Sequence, residues 1–170
     1  MGSTAGASGA ATARPRLSSA AATAGSVAAW SAIFAGVPTA LSRRGPRLGW
    51  RGGRPSRANR AAVVPLVLGS AGLLWCARSH YPQGEMVEVS LVPERLIASG
   101  PYRYSRNPMY VSEGAIWLGW TLYYGSPNVL AAGLALATAM RYAVGREERT
   151  LEHEFGRSWT RYAEAVPRWA

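Results

Sequence analysis

The chain has 170 residues with a net charge of +10, and 48% of them are apolar, which allows one domain with a substantial core. Its single cysteine, Cys76, excludes a disulfide framework within the chain, and two isolated histidines, His80 and His153, leave no metal site to expect. No Ser-His-acid arrangement and no Gly-rich phosphate loop occurs, which excludes the commonest nucleophilic and nucleotide-binding patterns.

The charge is segregated. All 19 cations are Arg and all 9 acids are Glu; residues 1–84 hold ten Arg and no acid, and residues 85–170 hold nine of each. The whole positive balance therefore sits in the first half, where an anionic surface is the expected partner. The Arg-rich stretch 42–60 lies between two apolar segments, which favours lipid headgroups over nucleic acid, and no nucleic-acid partner is expected.

Residues 1–19 are Ala, Gly, Ser and Thr with Arg14 and Arg16, and the composition predicts a disordered tail. An acid-free start of this kind also suits a transit or signal peptide. A first, weakly apolar helix is expected from about Ala21 to Leu41, long enough for a bilayer core. Arg43, Arg44, Arg47, Arg51, Arg54, Arg57 and Arg60 follow among Gly and Pro and read as an exposed loop. The second apolar run, Ala61 to Ala77, carries no charge until Arg78. In the polar stretch 79–99, Val87, Val89, Leu91 and Val92 suggest an extended piece ended by Pro93.

Next comes Gly100-Pro101-Tyr102-Arg103-Tyr104-Ser105-Arg106-Asn107-Pro108-Met109-Tyr110. Pro108 disfavours helix at Asn107 but fits a first turn, so a helix is expected to start near Pro108. The third run, Met109 to Tyr124, ends in Tyr123 and Tyr124, where interfacial aromatics belong. Ser126-Pro127 predicts an N-cap and first helical position, and the fourth run extends from Asn128 to Val144. After Glu148, Leu151, Phe155, Trp159, Tyr162 and Val166 form one stripe of an amphipathic helix ended by Pro167. The fold expected is all-α: an integral membrane bundle of about four transmembrane helices plus a C-terminal amphipathic helix, with residues 20–170 as the domain. The positive-inside rule pulls both ways, so orientation stays open.

Two polar patches bracket the hairpin formed by the third and fourth runs, and they should meet at one end of it, at the same depth. One is the 100–110 stretch; the other is Arg146-Glu147-Glu148-Arg149-Thr150-Leu151. Glu113 lies three residues past Tyr110, on the same helical face and about one turn into the apolar run. An acid there requires a partner or a cavity, with Arg106 or Arg141 as the expected partner. The plainer readings are interface anchors for Arg103 and Arg106, a solvated helix extension for Glu147 and Glu148, and an interfacial aromatic for Tyr110.

Arg106-Asn107-Pro108-Met109-Tyr110, Glu147-Glu148-Arg149-Thr150-Leu151, Phe155-Gly156, Trp159, Tyr162 and Val166-Pro167-Arg168 occur in the order and spacing of a known pattern. In these pieces, over about residues 72–169, the chain resembles the isoprenylcysteine carboxyl methyltransferase family, which is related to the phospholipid N-methyltransferases. The resemblance implies a small membrane enzyme that uses S-adenosylmethionine to methylate a lipophilic acceptor, a carboxylate or an amine. It also implies a cytoplasmic or organelle membrane and a cofactor site within about residues 96–169. Carried residue by residue, cofactor contacts come from Arg106, Asn107, Pro108, Tyr110, Glu147, Glu148 and Leu151, with Tyr102 and Tyr104 nearby. The candidates for the catalytic roles are Arg106 and Glu147 from these motifs and Glu113 from its place in the apolar run.

Those residue types suit the chemistry. Displacement at a sulfonium carbon needs alignment and exclusion of water above all. The cofactor's cationic groups suit Glu147 or Glu148, and its carboxylate suits Arg106 or Arg103. Asn107 stands where the family commonly has His, so a proton-transfer role at that position is lost. The rival readings are an NADPH-dependent membrane reductase of the sterol-reductase type and a non-catalytic membrane adaptor of the same fold.

Overall fold

A computed structural model describes residues 29–80 and 96–169. The expected tail 1–19 and the expected extended piece around Val87–Val92 lie outside the described residues. The architecture is helical: α1 (Ala29–Ser42), α2 (Arg57–Arg60), α3 (Val63–His80), α4 (Pro108–Tyr124), α5 (Pro127–Phe155) and α6 (Arg157–Ala165). A small hairpin joins α1 to α2, its strands β1 (Trp50–Arg51) and β2 (Arg54–Pro55) pairing antiparallel with Arg51 opposite Arg54.

α3, α4 and α5 lie side by side with alternating direction. Small residues set the α3–α4 seam: a side chain at Gly69 would strike Ser112 and Ile116, one at Gly72 would strike Ser112, and one at Gly119 would strike Leu66. Such close backbone approach is how helices associate where lipid removes the hydrophobic driving force between them. Trp117, Tyr124 and Val129 form the core of the α4–α5 contact, with Phe34, Leu41 and Trp50 packed against it.

Each helix start follows from its local chemistry. Pro108 and Pro127 occupy the first turns of α4 and α5, where a missing N–H costs nothing. The Ser126 hydroxyl, expected to cap α5, makes no capping bond. Gly125 closes α4 in the left-handed region (φ 54°), which only glycine adopts without strain. In α1 a π-turn at Ala32–Gly36 precedes Pro38, whose missing N–H interrupts the regular ladder.

Three expectations change. The 42–60 stretch is a folded hairpin rather than a simple exposed loop. Buried Asn59 fills it, donating from Nδ2 to Leu48 O (3.1 Å), Leu122 O (2.8 Å) and Tyr123 O (3.1 Å). The Glu147-Glu148 cluster belongs to α5 itself, which continues without a break from Pro127 to Phe155. The amphipathic stripe divides at Gly156 (φ 49°), so Leu151 and Phe155 end one helix while Trp159 and Tyr162 belong to the next. The turn folds α6 back, and the stripe still converges as one cluster of Trp159, Tyr162 and Val166 against Leu96, Leu151 and Phe155.

Among the described residues, two helices are long and apolar enough to cross a membrane: Arg57–Ser79, which is α2 run into α3, and α5. The most apolar windows of these helices are only 17% and 11% buried inside the molecule, opposite to the core helix of a water-soluble protein. The outward rows include Val64, Val67, Leu68, Leu74, Leu118, Leu130 and Leu134. An exposed apolar surface of this extent marks a membrane or protein-interaction face. The described part of the first expected span, Ala29–Ser42, is shorter than a full crossing. Four spans are therefore more than these helices establish.

Candidate functional site

The polar ends of α4 and α5 meet as the sequence leads one to expect. Tyr110, in the first turn of α4, donates its hydroxyl to Glu147 Oε2 at 3.4 Å. Arg106, just before α4, reaches Glu148 Oε1 at 3.1 Å. The two adjacent glutamates thus serve different partners, because neighbouring helical positions point about 100° apart. Glu147 is exposed at the rim, whereas the Glu148 side chain is only 12% exposed.

A third segment joins them. After α6 the tail Val166-Pro167-Arg168 returns across the Arg106-Asn107 turn. Arg106 N donates to Pro167 O (2.9 Å), while Ser105 Oγ (3.2 Å) and Asn107 Nδ2 (3.1 Å) both donate to Arg168 O. Asn107 therefore uses its amide to hold the tail rather than to cap α4. Arg168 forks onto Glu148, Nε to Oε1 at 3.1 Å and Nη2 to Oε2. These bonds hold the Arg168 guanidinium more firmly in its protonated form than usual. One carboxylate is thereby shared by two guanidinium groups, a bidentate arrangement among the stronger side-chain pairs.

Beside this network lies a cleft of about 560 Å³, within the size range of small-molecule sites. Arg106, Arg149 and Arg168 line it together with Glu148, Glu152 and Glu164, and Trp159 adds an aromatic wall. Arg106 lies 5.9 Å from the Trp159 ring, and its buried Nε has no hydrogen-bond partner. Beneath the turn, Tyr162 donates to Tyr102 O at 2.7 Å. Burial pushes the Tyr162 hydroxyl up to about 12, with Arg106 pulling the other way. Burial also raises Tyr102, and Cys76, Tyr162, Glu147 and Tyr110 add to the effect, which sets Tyr102 in the same cluster.

Of the residues singled out in the sequence, Tyr102, Arg106, Asn107, Pro108, Tyr110, Glu147 and Glu148 gather at this one end. Tyr104 turns toward α3, 6.0 Å from Trp75, with Arg103 over its ring. Leu151 packs into the Trp159 cluster. Glu113 is buried at 3% exposure, but the pairing expected with Arg106 or Arg141 does not form: Arg106 is held by Glu148, and Arg141 is exposed. Arg168 and Trp159 also belong to this end, although the sequence pattern marks Trp159 only as part of the amphipathic stripe and Arg168 only as part of the Val-Pro-Arg motif. The signal was Pro167, which ends the last helix and sends Arg168 back over the site.

The family model for phospholipid methyltransferases matches residues 61–158, from the start of α3 to the start of α6. The chain belongs to the phospholipid methyltransferase family. Membership implies methyltransferase activity in general, on a membrane protein, and it is consistent with the resemblance to the related isoprenylcysteine enzymes. An uncharacterized protein of Haemophilus influenzae is 36% identical over 62 residues, covering 36% of this chain and 98% of that protein. No solved structure matches.

Proposed function

We propose that this phospholipid methyltransferase family member uses S-adenosylmethionine to methylate a lipophilic carboxylate or amine, and that α3, α4 and α5 all cross the membrane. The observation that carries the reading is the meeting of Arg106 and Tyr110 with Glu148 and Glu147 at one end of the α4–α5 hairpin. Connectivity supports the crossing of α4. Asn59, before α3, bonds to the end of α4, and Trp75, near the other end of α3, meets Tyr104 before α4 begins. A helix that links two spanning helices at opposite ends traverses the same thickness, and the 17 residues of α4 cover about 25 Å.

The cleft suits the cofactor by its donor set. Three arginines and three glutamates facing one space match a group carrying a carboxylate, an ammonium and a sulfonium, and the unpartnered Arg106 Nε is a donor awaiting an acceptor. Arg106 and Arg168 would hold the carboxylate, and Glu148 or Glu152 the cationic groups; Trp159 supplies an apolar wall. Glu147, outside the cleft lining and bonded to Tyr110, is a further carboxylate. When bound, S-adenosylmethionine supplies an electrophilic methyl group. The chain's own contribution is alignment and dryness: the Val166-Pro167-Arg168 tail covers the turn, and the apolar flank of α4 and α5 admits an acceptor dissolved in lipid.

The test is cofactor choice. Detergent-purified full-length protein should retain radiolabelled S-adenosylmethionine, and NADPH should not compete. Retention of NADPH instead would point to the reductase reading, and retention of neither to the adaptor. Transfer of label into a lipid extract then separates carboxylate from amine, since a methyl ester releases its label in mild alkali and a methylamine does not.

A further inference from the structure

The Arg-rich hairpin lies at the end of the helices remote from the site, and methyl transfer makes no use of it. One of its arginines is withdrawn: Arg47 donates to Ser42 O (3.1 Å) and Ser42 Oγ (3.0 Å) and lies over the rings of Trp50 and Tyr124. Arg43, Arg44, Arg51, Arg54, Arg57 and Arg60 are exposed. The ion pairs among the described residues are both at the other end, on Glu148, and residues 1–84 contain no acid. These six charges therefore have no anionic partner within the described protein.

We propose that this face docks the anionic headgroups of lipids, with the guanidinium groups engaging lipid phosphates in the bilayer that surrounds the helices. Depth is the first argument. Arg57 and Arg60 immediately precede the outward row Val63, Val64, Val67 and Leu68, whose exposures of 56–65% mark the lipid-facing surface of α3. Arg43 and Arg44 directly follow apolar α1. The charges thus sit at the rim of the hydrocarbon layer, where long cationic side chains reach the headgroups.

Rigidity is the second argument. Asn59 is fixed to three carbonyls, Trp50 Nε1 donates to Tyr123 O (2.9 Å), and Leu48 N donates to Gly125 O (2.9 Å). The hairpin is held as one platform, so little conformational freedom is lost when phosphates bind. Guanidinium matches phosphate through paired donors, which is the chemistry this face offers. A nucleic acid would need the face to stand clear of the bilayer, whereas here it is continuous with the lipid-facing rows.

The experiment uses full-length protein in phosphatidylcholine vesicles doped with spin-labelled phosphatidylglycerol or spin-labelled phosphatidylcholine. The wild type should restrict the motion of the anionic label preferentially, with a gain of up to roughly fivefold for each guanidinium engaged. The preference should fall in about 0.5 M salt. The combined variant Arg43→Gln, Arg44→Gln, Arg51→Gln, Arg54→Gln, Arg57→Gln, Arg60→Gln should lose it while keeping its helicity. Arg157→Gln with Arg161→Gln, at the opposite end, should keep it. Equal restriction of the two labels by the wild type overturns the proposal, as does a preference lost equally in the control pair. Retention of a labelled oligonucleotide without any lipid preference would assign the face to nucleic acid and overturn it too. None of these outcomes depends on cofactor binding, so this proposal and the methyltransferase reading fail separately.

Discussion

Glu147 and Glu148 are neighbours in sequence, yet the structure predicts opposite consequences for the same substitution. Glu148 joins α5 to the Arg106 turn and to the tail, with side-chain exposures of 12%, 16% and 42% for Glu148, Arg106 and Arg168. A hydrogen bond to a charged group contributes about 1.5–3 kcal/mol net when shielded, and an exposed ion pair about 0.2–1 kcal/mol. Arg106 falls between these cases, while Arg168 is open enough to be largely screened. Glu148→Gln should therefore cost about 2 kcal/mol and leave two guanidinium groups facing one another. Glu147 is exposed, and its one bond, at 3.4 Å, is near the limit of useful geometry. Glu147→Gln should cost less than about 0.5 kcal/mol of stability. If Glu147 receives a cationic group of the cofactor, it should weaken S-adenosylmethionine binding by about tenfold, equivalent to about 1.4 kcal/mol. Denaturant titration in detergent micelles, followed by tryptophan fluorescence, measures the first quantity, and equilibrium dialysis of radiolabelled cofactor the second. Equal destabilisation by the two substitutions, or unchanged affinity in Glu147→Gln, would refute the division of labour.

Gly69→Ala should destabilise by about 1–3 kcal/mol, because its methyl group would meet the Ser112 carbonyl at 2.5 Å and Ile116 N at 3.0 Å, both backbone atoms that cannot turn aside. Gly114→Ala, with open space around it, should be neutral or gain up to about 1 kcal/mol from helix propensity, and equal effects at the two positions would exclude the tight seam. Tyr162→Phe should cost about 1 kcal/mol by removing the bond to Tyr102 O. The folded hydroxyl, raised to about 12, lies above its unfolded value of about 10, so the contribution is complete below pH 10 and disappears as pH rises toward 12. A stability gap between wild type and Tyr162→Phe that stays constant from about pH 9 to about pH 12 would contradict this.

The hairpin and the meeting of its polar ends were legible because they rest on local chemistry. Pro108 and Pro127 announce helix starts, and two charged clusters flanking a pair of apolar runs come level when the runs lie antiparallel. The hairpin at 43–60 was hidden because a buried asparagine has the same sequence signature as an exposed one. The carbonyl ends of α4, more than 60 residues away, together with Leu48 O, give the Asn59 amide its role. The same limit applies at the site. Sequence treats Glu147 and Glu148 alike, and which one faces Arg106 depends on the rotational phase of α5 against α4, a matter of packing. Helical spacing places Glu113 on the face of Tyr110, and the cost of an acid in an apolar run calls for a partner such as Arg106 or Arg141. Arg106, however, precedes the helix, and the backbone at Asn107 (φ −130°, ψ 53°) lies outside the helical region, so helical spacing does not extend to it.

A site assembled at the open end of a helical hairpin is only as well defined as the hairpin's closed end. In lipid, apolar contact alone gives little preference for one register over another, since the tails are as apolar as the side chains. The register must come from small-residue seams and from hydrogen bonds at the ends, and the structure has both. At the closed end, Leu48 bonds to Gly125, Trp50 and Asn59 to Tyr123, and Thr39 Oγ1 pairs with Tyr124 Oη at 2.8 Å. At the open end the tail bonds to the Arg106-Asn107 turn, and Arg168 to Glu148. The acid-free first half thus has a structural consequence at a distance: by fixing the turn between α4 and α5, it fixes the depth at which Tyr110 meets Glu147 and Arg106 meets Glu148.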